Sequence, residues 1–440
     1  MINQALERRR ALVEASLSGL IALVLSLAVF GPILRWIAVG WSGGDMLSTY
    51  INVEMWQGFR YSASDQYGFP LGMNLNYFPG IDITENTFAA LVSTVAGTPF
   101  VGLNILILVT FPLIGFLAYF LFRMTGLTGP LAIAGAVVFS LIPFHFGRAL
   151  GHTYLATLYS AVTGMALVLL VGSGRFERIV RQLRGRALSR SRKIWLAAAI
   201  CVLVVITAWS GVYYAAFTLL LGAAALLWRY IKGAPWKSIL VDALPFTAIV
   251  ILAFVGFLPS LLTTMTDPPI GTLSDRLPYD SVIFAGYLAV LVLPLPASSL
   301  PGFDFYNRSV TEALAAGGWV ESSAQSNYGT WVTTTALLIL IGGLIAKTRK
   351  RQRKAGTGTP RADKKLFVSA QFIAYLITVC LLFFIPWGLN YLIAGTITAQ
   401  IRAWNRLTPI ILLLFLLGAA AILRNTRVAR HPIPALGVSA

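Results

Sequence analysis

The sequence predicts an all-α fold: a polytopic integral membrane bundle of about ten transmembrane helices, with amphipathic helices in two long extracytoplasmic loops. Three observations carry that prediction. Of the 440 residues, 57% are hydrophobic and only 11% charged, with a mean hydropathy of +0.76, which is more apolar surface than a water-soluble core can hide. Apolar windows of the ~20 residues needed to cross a ~30 Å hydrocarbon layer recur along nearly the whole chain. These runs are too long and continuous for barrel strands, so helices are left to satisfy their own backbone groups in lipid.

In chain order, the first span is 13–40, preceded by Arg8, Arg9 and Arg10. It is too long for a signal peptide and no small-residue cleavage site follows, so it reads as an anchor. Residues 41–100 form the first large loop. Gly43-Gly44-Asp45 opens it, and Asp45, Ser48, Thr49, Asn52 and Trp56 then recur at helical steps opposite Met46, Leu47, Tyr50, Ile51 and Met55. That pattern predicts a short amphipathic helix at the membrane surface. Spans 101–123, 128–144 and 154–173 follow, then a basic loop at 174–193, then spans 194–211, 212–230 and 239–262. The second large loop, 263–330, holds "SVIFAGYLAVLVLPLP" at 281–296. This stretch is apolar but short, and Pro294 and Pro296 break it, so it reads as an interfacial or re-entrant piece. Spans 331–346, 366–386 and 407–423 complete the chain, with a second basic loop at 347–365. No internal repeat or domain boundary shows, and residues 1–440 form a single membrane domain.

Most of the 34 Lys and Arg fall on the side of the N-terminus: Arg8 to Arg10, Arg123, the two basic loops, Arg229 to Lys237, and Arg424, Arg427 and Arg430. The other side keeps Arg35, Arg60, Arg148, Arg276, Arg308, Arg402 and Arg406. This bias predicts a multi-pass protein of the cell membrane with both termini cytoplasmic. Basic loops beside anionic headgroups account for the net charge of +18, and no nucleic acid is needed to explain it. The acids go the other way, with Asp45, Glu54, Asp65, Asp82, Glu85, Asp267, Asp275, Asp280, Asp304, Glu312 and Glu321 all outside. Insertion does not demand that partition, so it hints at an extracytoplasmic site.

Several function classes lose ground. The inner loops are far shorter than the ~100 residues of a nucleotide-binding domain, and neither GxxxxGK[ST] nor a strand-flanked GxGxxG is present. Cys201 and Cys380 lie within spans, so no disulfide framework or metal-ligand spacing exists. The bilayer centre holds almost no charge: Glu14 and Asp242 fall near inner ends and Arg35 near an outer end, where each can reach the interface. Ion-coupled transport usually buries ionisable groups midway, so chemistry at the outer face fits better.

Four constellations stand out there. Asp45 suits either a helix N-cap or a general base at the mouth of a cavity, and the two roles are compatible. In "HFGRALGH", His145, Arg148 and His152 are spaced for one helical face; they either cap a span or hold a substrate phosphate or hydroxyl. Arg402 and Arg406 in "AQIRAWNRLTP" are spaced for one face as well, and suit lipid headgroups or a phosphate. Glu321 in "ESSAQSNYGTW" is either a solvated loop acid or a group that orients a sugar hydroxyl. Oxygen ligands for Mg²⁺ or Ca²⁺ leave no spacing signature, so the sequence neither requires nor excludes a divalent cation between Asp45 and a phosphate.

A first span followed by "GGD", the loop "YGFPLGMNLNYFPGIDITENTFAALVSTVAGTPFVGLNILIL", "RALGHTYLATLYSA", "ESSAQSNYGT" and "IRAWNRLTP" together resemble the GT-C superfamily of polytopic membrane glycosyltransferases, in an uncharacterised bacterial, largely actinobacterial branch. The similarity runs over almost the whole chain on topology and short motifs. It implies inverting transfer of a sugar from a polyprenyl-phosphate donor to an envelope glycan, lipid or protein acceptor. It places Asp45 as the base, Arg402 and Arg406 on the donor phosphate, and Arg148, His152 and Glu321 among the active-site polar groups. Members more often pair acids in the first loop, whereas Asp45 has no adjacent partner, and the other first-loop acids are expected mostly to keep a surface loop wet. The competing readings are a translocator of lipid-linked sugars and a non-catalytic envelope-assembly protein.

Overall fold

A computed structural model describes residues 2–40, 44–57, 63–64, 70, 72–77, 80, 82–267, 276–292, 303–318, 327–354, 367–424 and 426. Among them, nine helices are long and apolar enough to cross a membrane. A tenth candidate is the pair Ala370–Phe384 and Leu389–Thr396, bent by 58°. These correspond to the ten expected spans. The protein is an all-α, multi-pass membrane protein.

Helix α1 (Ile2–Arg35) leads into a loop and the short α2 (Met46–Trp56). A two-residue antiparallel ladder pairs Ala63 with Asn74 and Ser64 with Met73. Then come α3 (Ile83–Ala96), α4 (Pro99–Thr125), α5 (Pro130–Ser140), α6 (Pro143–Ala149), α7 (Thr153–Ala156) and α8 (Tyr159–Gly172). The amphipathic α9 (Arg175–Arg184) precedes three long spans, α10 (Arg190–Trp209), α11 (Val212–Ile231) and α12 (Trp236–Thr266). Trp331–Lys354, the bent pair and Thr408–Leu423 complete the bundle.

The centre is made by α8 and Thr408–Leu423, each about four-fifths buried, while α1, α10, α12 and Trp331–Thr348 leave most of their surface to the surroundings. Their sequences say why. The last helix reads TPIILLLFLLGAAAIL, apolar all round, as a helix enclosed by other helices must be. Between apolar helices in lipid, close approach rests on small residues. A Cβ on Gly115 of α4 would sit 3.0 Å from the Ser18 carbonyl of α1, and one on Gly164 of α8 would sit 2.0 Å from the Thr218 hydroxyl of α11.

Antiparallel packing sorts the charges. Arg10, Arg123 and Arg175 gather at one end of the bundle, the basic end. Asp45, Asp82, His152 and Arg406 meet at the other, the acidic end.

Three expectations are corrected. Glu14 and Asp242 do not stand exposed at the helix ends; both are buried within the bundle and paired. Glu14 accepts from Arg10 Nε at 2.6 Å, from the Gly129 amide at 3.1 Å and from the Tyr119 hydroxyl. Asp242 accepts from Arg229 Nε at 2.9 Å, and Arg229 Nη2 also meets Glu177 at 3.0 Å. Helix α2 forms where expected but turned about its axis: Met46, Thr49, Tyr50 and Val53 are buried, and Leu47 is exposed. The span expected at 128–144 is present as Pro130–Ala149 but is not one continuous helix, because Pro143 cannot extend α5; α6 starts anew there and ends at Ala149. Of the stretch 281–296, Asp280–Ile283 and Leu288–Val292 are short helices. They lie against the bent pair through Gly286 N to the Phe384 carbonyl (2.7 Å) and Asn390 Nδ2 to the Ser281 carbonyl (3.0 Å); residues 293–296 lie outside the described residues.

Candidate functional site

The acidic end is built around one backbone contact. Gly44 has φ +55, a conformation glycine adopts without steric cost, and a Cβ there would stand 2.2 Å from the Gly151 carbonyl oxygen. That approach lets the Asp45 amide donate to Gly151 O at 2.7 Å, so the start of the first loop is fastened to the α6–α7 turn. On the same turn His152 follows Gly151, its amide donating to the Arg148 carbonyl at 2.8 Å.

Asp45 sits at the N-cap position of α2, but its side chain caps nothing. Its backbone carbonyl takes the Ser48 and Thr49 hydroxyls, and its carboxylate is free to meet His152, Oδ2 to Nδ1 at 2.7 Å. The Asp45 side chain is 70% exposed and that of His152 30%. A contact so open contributes only ~0–1 kcal/mol to stability, so it is a poor candidate for a fold-holding bridge. With Nδ1–H donated to the carboxylate, the imidazole presents Nε2 as its basic atom; Nε2 makes no hydrogen bond among the described residues.

Both side chains open onto a cavity of ≈ 160 Å³, whose wall also includes Thr49, Asp82, Tyr154, Tyr213 and Arg406. This is below the ~300–1,000 Å³ that encloses a drug-sized ligand, and it suits a headgroup-sized fragment. Arg406 reaches the cavity from a 3₁₀ turn, Trp404–Leu407, its guanidinium 4.2 Å from the centre of the Tyr213 ring. The turn is held by Asn405 N donating to the Phe284 carbonyl at 3.0 Å. Tyr214, whose hydroxyl donates to Leu155 O at 2.6 Å, lies within electrostatic range of both Arg148 and Arg406.

The expected first-loop acids divide. Glu54 is exposed, as a wetting residue should be, and Asp65 lies outside the described residues. Asp82 and Glu85 correct the expectation. Asp82 lies in the cavity wall and accepts from the Gly211 amide at 3.1 Å, and burial pushes its carboxyl up to about 6. Glu85 is fully buried one helical turn on, accepts from the Tyr159 hydroxyl at 2.8 Å, and is pushed up to about 8, first by burial and then by the charge of Asp82. Asp45 thus has acidic company after all, supplied from the entry to α3. The one available signal was the spacing in "DITE" before an apolar run, and it also reads as an ordinary helix-start capping box.

The other predicted residues are placed as follows. His145, Arg148 and His152 do not share a helical face, because the helix ends at Ala149. His145 is buried away from the cavity, between the Thr110 hydroxyl (2.8 Å) and the Ser140 carbonyl (2.7 Å), stacked on Phe111. Arg148 is 5% exposed, its guanidinium 5.5 Å from the centre of the Phe144 ring, and it is not among the residues lining the cavity. Arg402 and Arg406 do not share a face either, since residues 401–403 have no regular structure. Arg402 lies over Phe284 at 4.6 Å, and only Arg406 of the two is among the residues lining the cavity. Glu321 lies outside the described residues. Among the described residues no three His, Cys, Asp or Glu side chains gather as a metal-binding group.

Residues 19–269, more than half of the chain, match the model of a family described as "Domain of unknown function (DUF6311)", and the chain belongs to that family. The match takes in Asp45, Asp82, Glu85, Arg148 and His152 and ends before Arg402 and Arg406. No protein of curated function and no solved structure matches the chain.

Proposed function

We propose that this DUF6311 member is a membrane glycosyltransferase of GT-C type, moving a sugar from a polyprenyl-phosphate donor to an acceptor hydroxyl of the cell envelope. The observation that carries the proposal is the meeting of Asp45, His152 and Arg406, from three distant parts of the chain, around one small cavity at the end of a membrane bundle.

The transfer makes three chemical demands, two of which fall to groups of the cavity and one to the bundle. The attacking hydroxyl must lose a proton as its oxygen bonds to the anomeric carbon; Asp45 with His152 is a base within reach of the cavity, the carboxylate orienting the imidazole or taking the proton itself. The leaving phosphate gains negative charge as the glycosidic C–O bond breaks, and the guanidinium of Arg406 is placed to receive it. The lipid tail needs an apolar path, which the surrounding spans offer. Asp82, whose pKa is raised by burial, lines the same cavity as the pair. Arg402, set over Phe284, has a supporting place, and so does Arg148, whose charge is felt at Tyr214 in the cavity wall.

The bias of Lys and Arg toward the basic end supports cytoplasmic termini in the cell membrane and an extracytoplasmic cavity. The test is purified protein in liposomes, given radiolabelled polyprenyl-phosphate sugars and an envelope extract as acceptor. Wild type transfers label to the acceptor, and Asp45→Asn at equal protein level loses at least ~100-fold, the scale of a lost general base. Full activity in that variant removes Asp45 from the mechanism. Label that crosses the bilayer still attached to its lipid replaces the transferase reading with a translocator.

A further inference from the structure

A second cavity lies at the basic end, with ≈ 550 Å³ of free space. Arg10, Arg123, Arg175, Arg178, Phe367 and Glu7 line it, so four guanidiniums stand against one carboxylate. Arg10 is partly neutralised by Glu14 at 2.6 Å, and Arg123 Nη1 donates to the Tyr119 hydroxyl at 3.3 Å. The other two are less well answered. Arg175 reaches the Met124 carbonyl at a long 3.4 Å, and Arg178 makes no hydrogen bond or ion pair among the described residues. Arg424 adds a fifth positive charge beside them. It lies 5.2 Å from the Phe367 ring that Arg175 approaches at 5.9 Å, and its Nη1 is occupied by the Thr125 and Val368 carbonyls. The crowding tells on Arg175, whose pKa is lowered by burial and by the neighbouring Arg178 and Arg424.

Like charges held together around an open space are relieved by an anion that offers oxygens in several directions, and phosphate meets guanidinium through paired hydrogen bonds. The surroundings indicate what carries that phosphate. Phe122, Leu127 and Leu423 line an apolar groove of ≈ 330 Å³ that runs on past Ile339 and Leu416 to Trp331. The residues next to them in sequence, Arg123, Gly126 and Thr128, line the arginine cavity, and Arg424 flanks it. A charged chamber therefore opens beside an apolar groove from the same short stretches of chain. We infer that the Arg10, Arg123, Arg175 and Arg178 cavity binds the phosphate of an anionic membrane lipid, with an acyl chain along the Phe122–Leu127–Leu423 groove. The site is at the opposite end of the bundle from Asp45 and stands whatever Asp45 does.

Native mass spectrometry of the full chain in detergent tests this with phosphatidylglycerol, phosphatidylcholine and inorganic phosphate as separate probes. Phosphatidylglycerol is expected to stay bound and phosphatidylcholine to be lost. The double variant Arg175→Gln/Arg178→Gln weakens phosphatidylglycerol binding roughly tenfold or more. Arg190→Gln/Arg192→Gln, which removes equal charge from the exposed start of α10, leaves it within about twofold. Should the double variant fail to fold, Arg178→Gln alone, at an exposed position, carries the test with an expected loss of roughly threefold. Equal retention of phosphatidylcholine, or unchanged phosphatidylglycerol binding in the arginine variants, overturns the proposal. Inorganic phosphate binding as tightly as the lipid overturns the lipid assignment.

Discussion

Replacing Gly44 by alanine attacks the one contact on which the acidic-end cavity is built. An alanine at φ +55 pays ~1–2 kcal/mol for a left-handed backbone. Its Cβ would also stand 2.2 Å from the Gly151 carbonyl oxygen, a backbone atom that cannot swing aside, so the 2.7 Å bond from the Asp45 amide must open. Losing that bond costs a further ~0.5–1.5 kcal/mol. Together, ~1.5–3.5 kcal/mol shifts the docked arrangement roughly 10- to 300-fold toward an undocked one. Hydrogen exchange read by mass spectrometry on peptides covering 44–57 and 150–156 reports it without any assumption about activity. Protection at Asp45 should fall by about that factor, while the bundle melts within a few degrees of wild type because the contact lies at its rim. Gly97→Ala is the matched control: φ is +76 there, yet nothing lies within 4 Å of the added carbon. It carries the strain without the collision and should leave exchange at Asp45 unchanged. Wild-type exchange in Gly44→Ala, or the same loss in Gly97→Ala, refutes the reasoning.

The remaining predictions concern charge. Asp82 and Glu85 hold protons more tightly in the fold than in the unfolded chain, where carboxyls titrate near ~4. Their contribution to stability is therefore full below that pH and lost as pH rises through about 6 and about 8. Thermal unfolding from pH 5 to 9 should show this decline in wild type and a flatter profile in Glu85→Gln; parallel profiles contradict it. Arg229→Gln strips the cation from Asp242 and Glu177, with Asp242 fully buried, and should destabilise by ~3–5 kcal/mol in denaturant titration. Adding Asp242→Asn should recover part of the loss, and an unaffected single variant would show that the buried ion pairs are not made.

The spans are legible in the sequence because lipid leaves one simple signal, continuous apolarity over a fixed length. The breaks are harder to read. Pro143 divides the run 128–144 and Ala370–Phe384 bends into Leu389–Thr396, yet Pro112, Pro245 and Pro259 sit inside continuous helices, so a proline in an apolar run does not by itself mark a break. Asp45, His152 and Arg406 stand out as scarce polar types at span ends, and they do share a cavity. Spacing misleads where it presumes helix: Arg402 and Arg406 are four apart but enter through irregular chain and a 3₁₀ turn. In the same way His145 and His152 are parted by the end of α6. Asp82 and Glu85 escape notice because burial of a loop acid is decided by α3 closing against α2 and α4, which no local pattern records.

The account's central claim is that donor phosphate and base meet in the Asp45 cavity. An experimental structure of the protein with a polyprenyl-phosphate sugar bound tests it most directly. The account predicts phosphate density against the Arg406 guanidinium and the sugar lying toward Asp45 and His152. An acidic-end cavity left empty at saturating donor, or a sugar out of reach of Asp45, contradicts it.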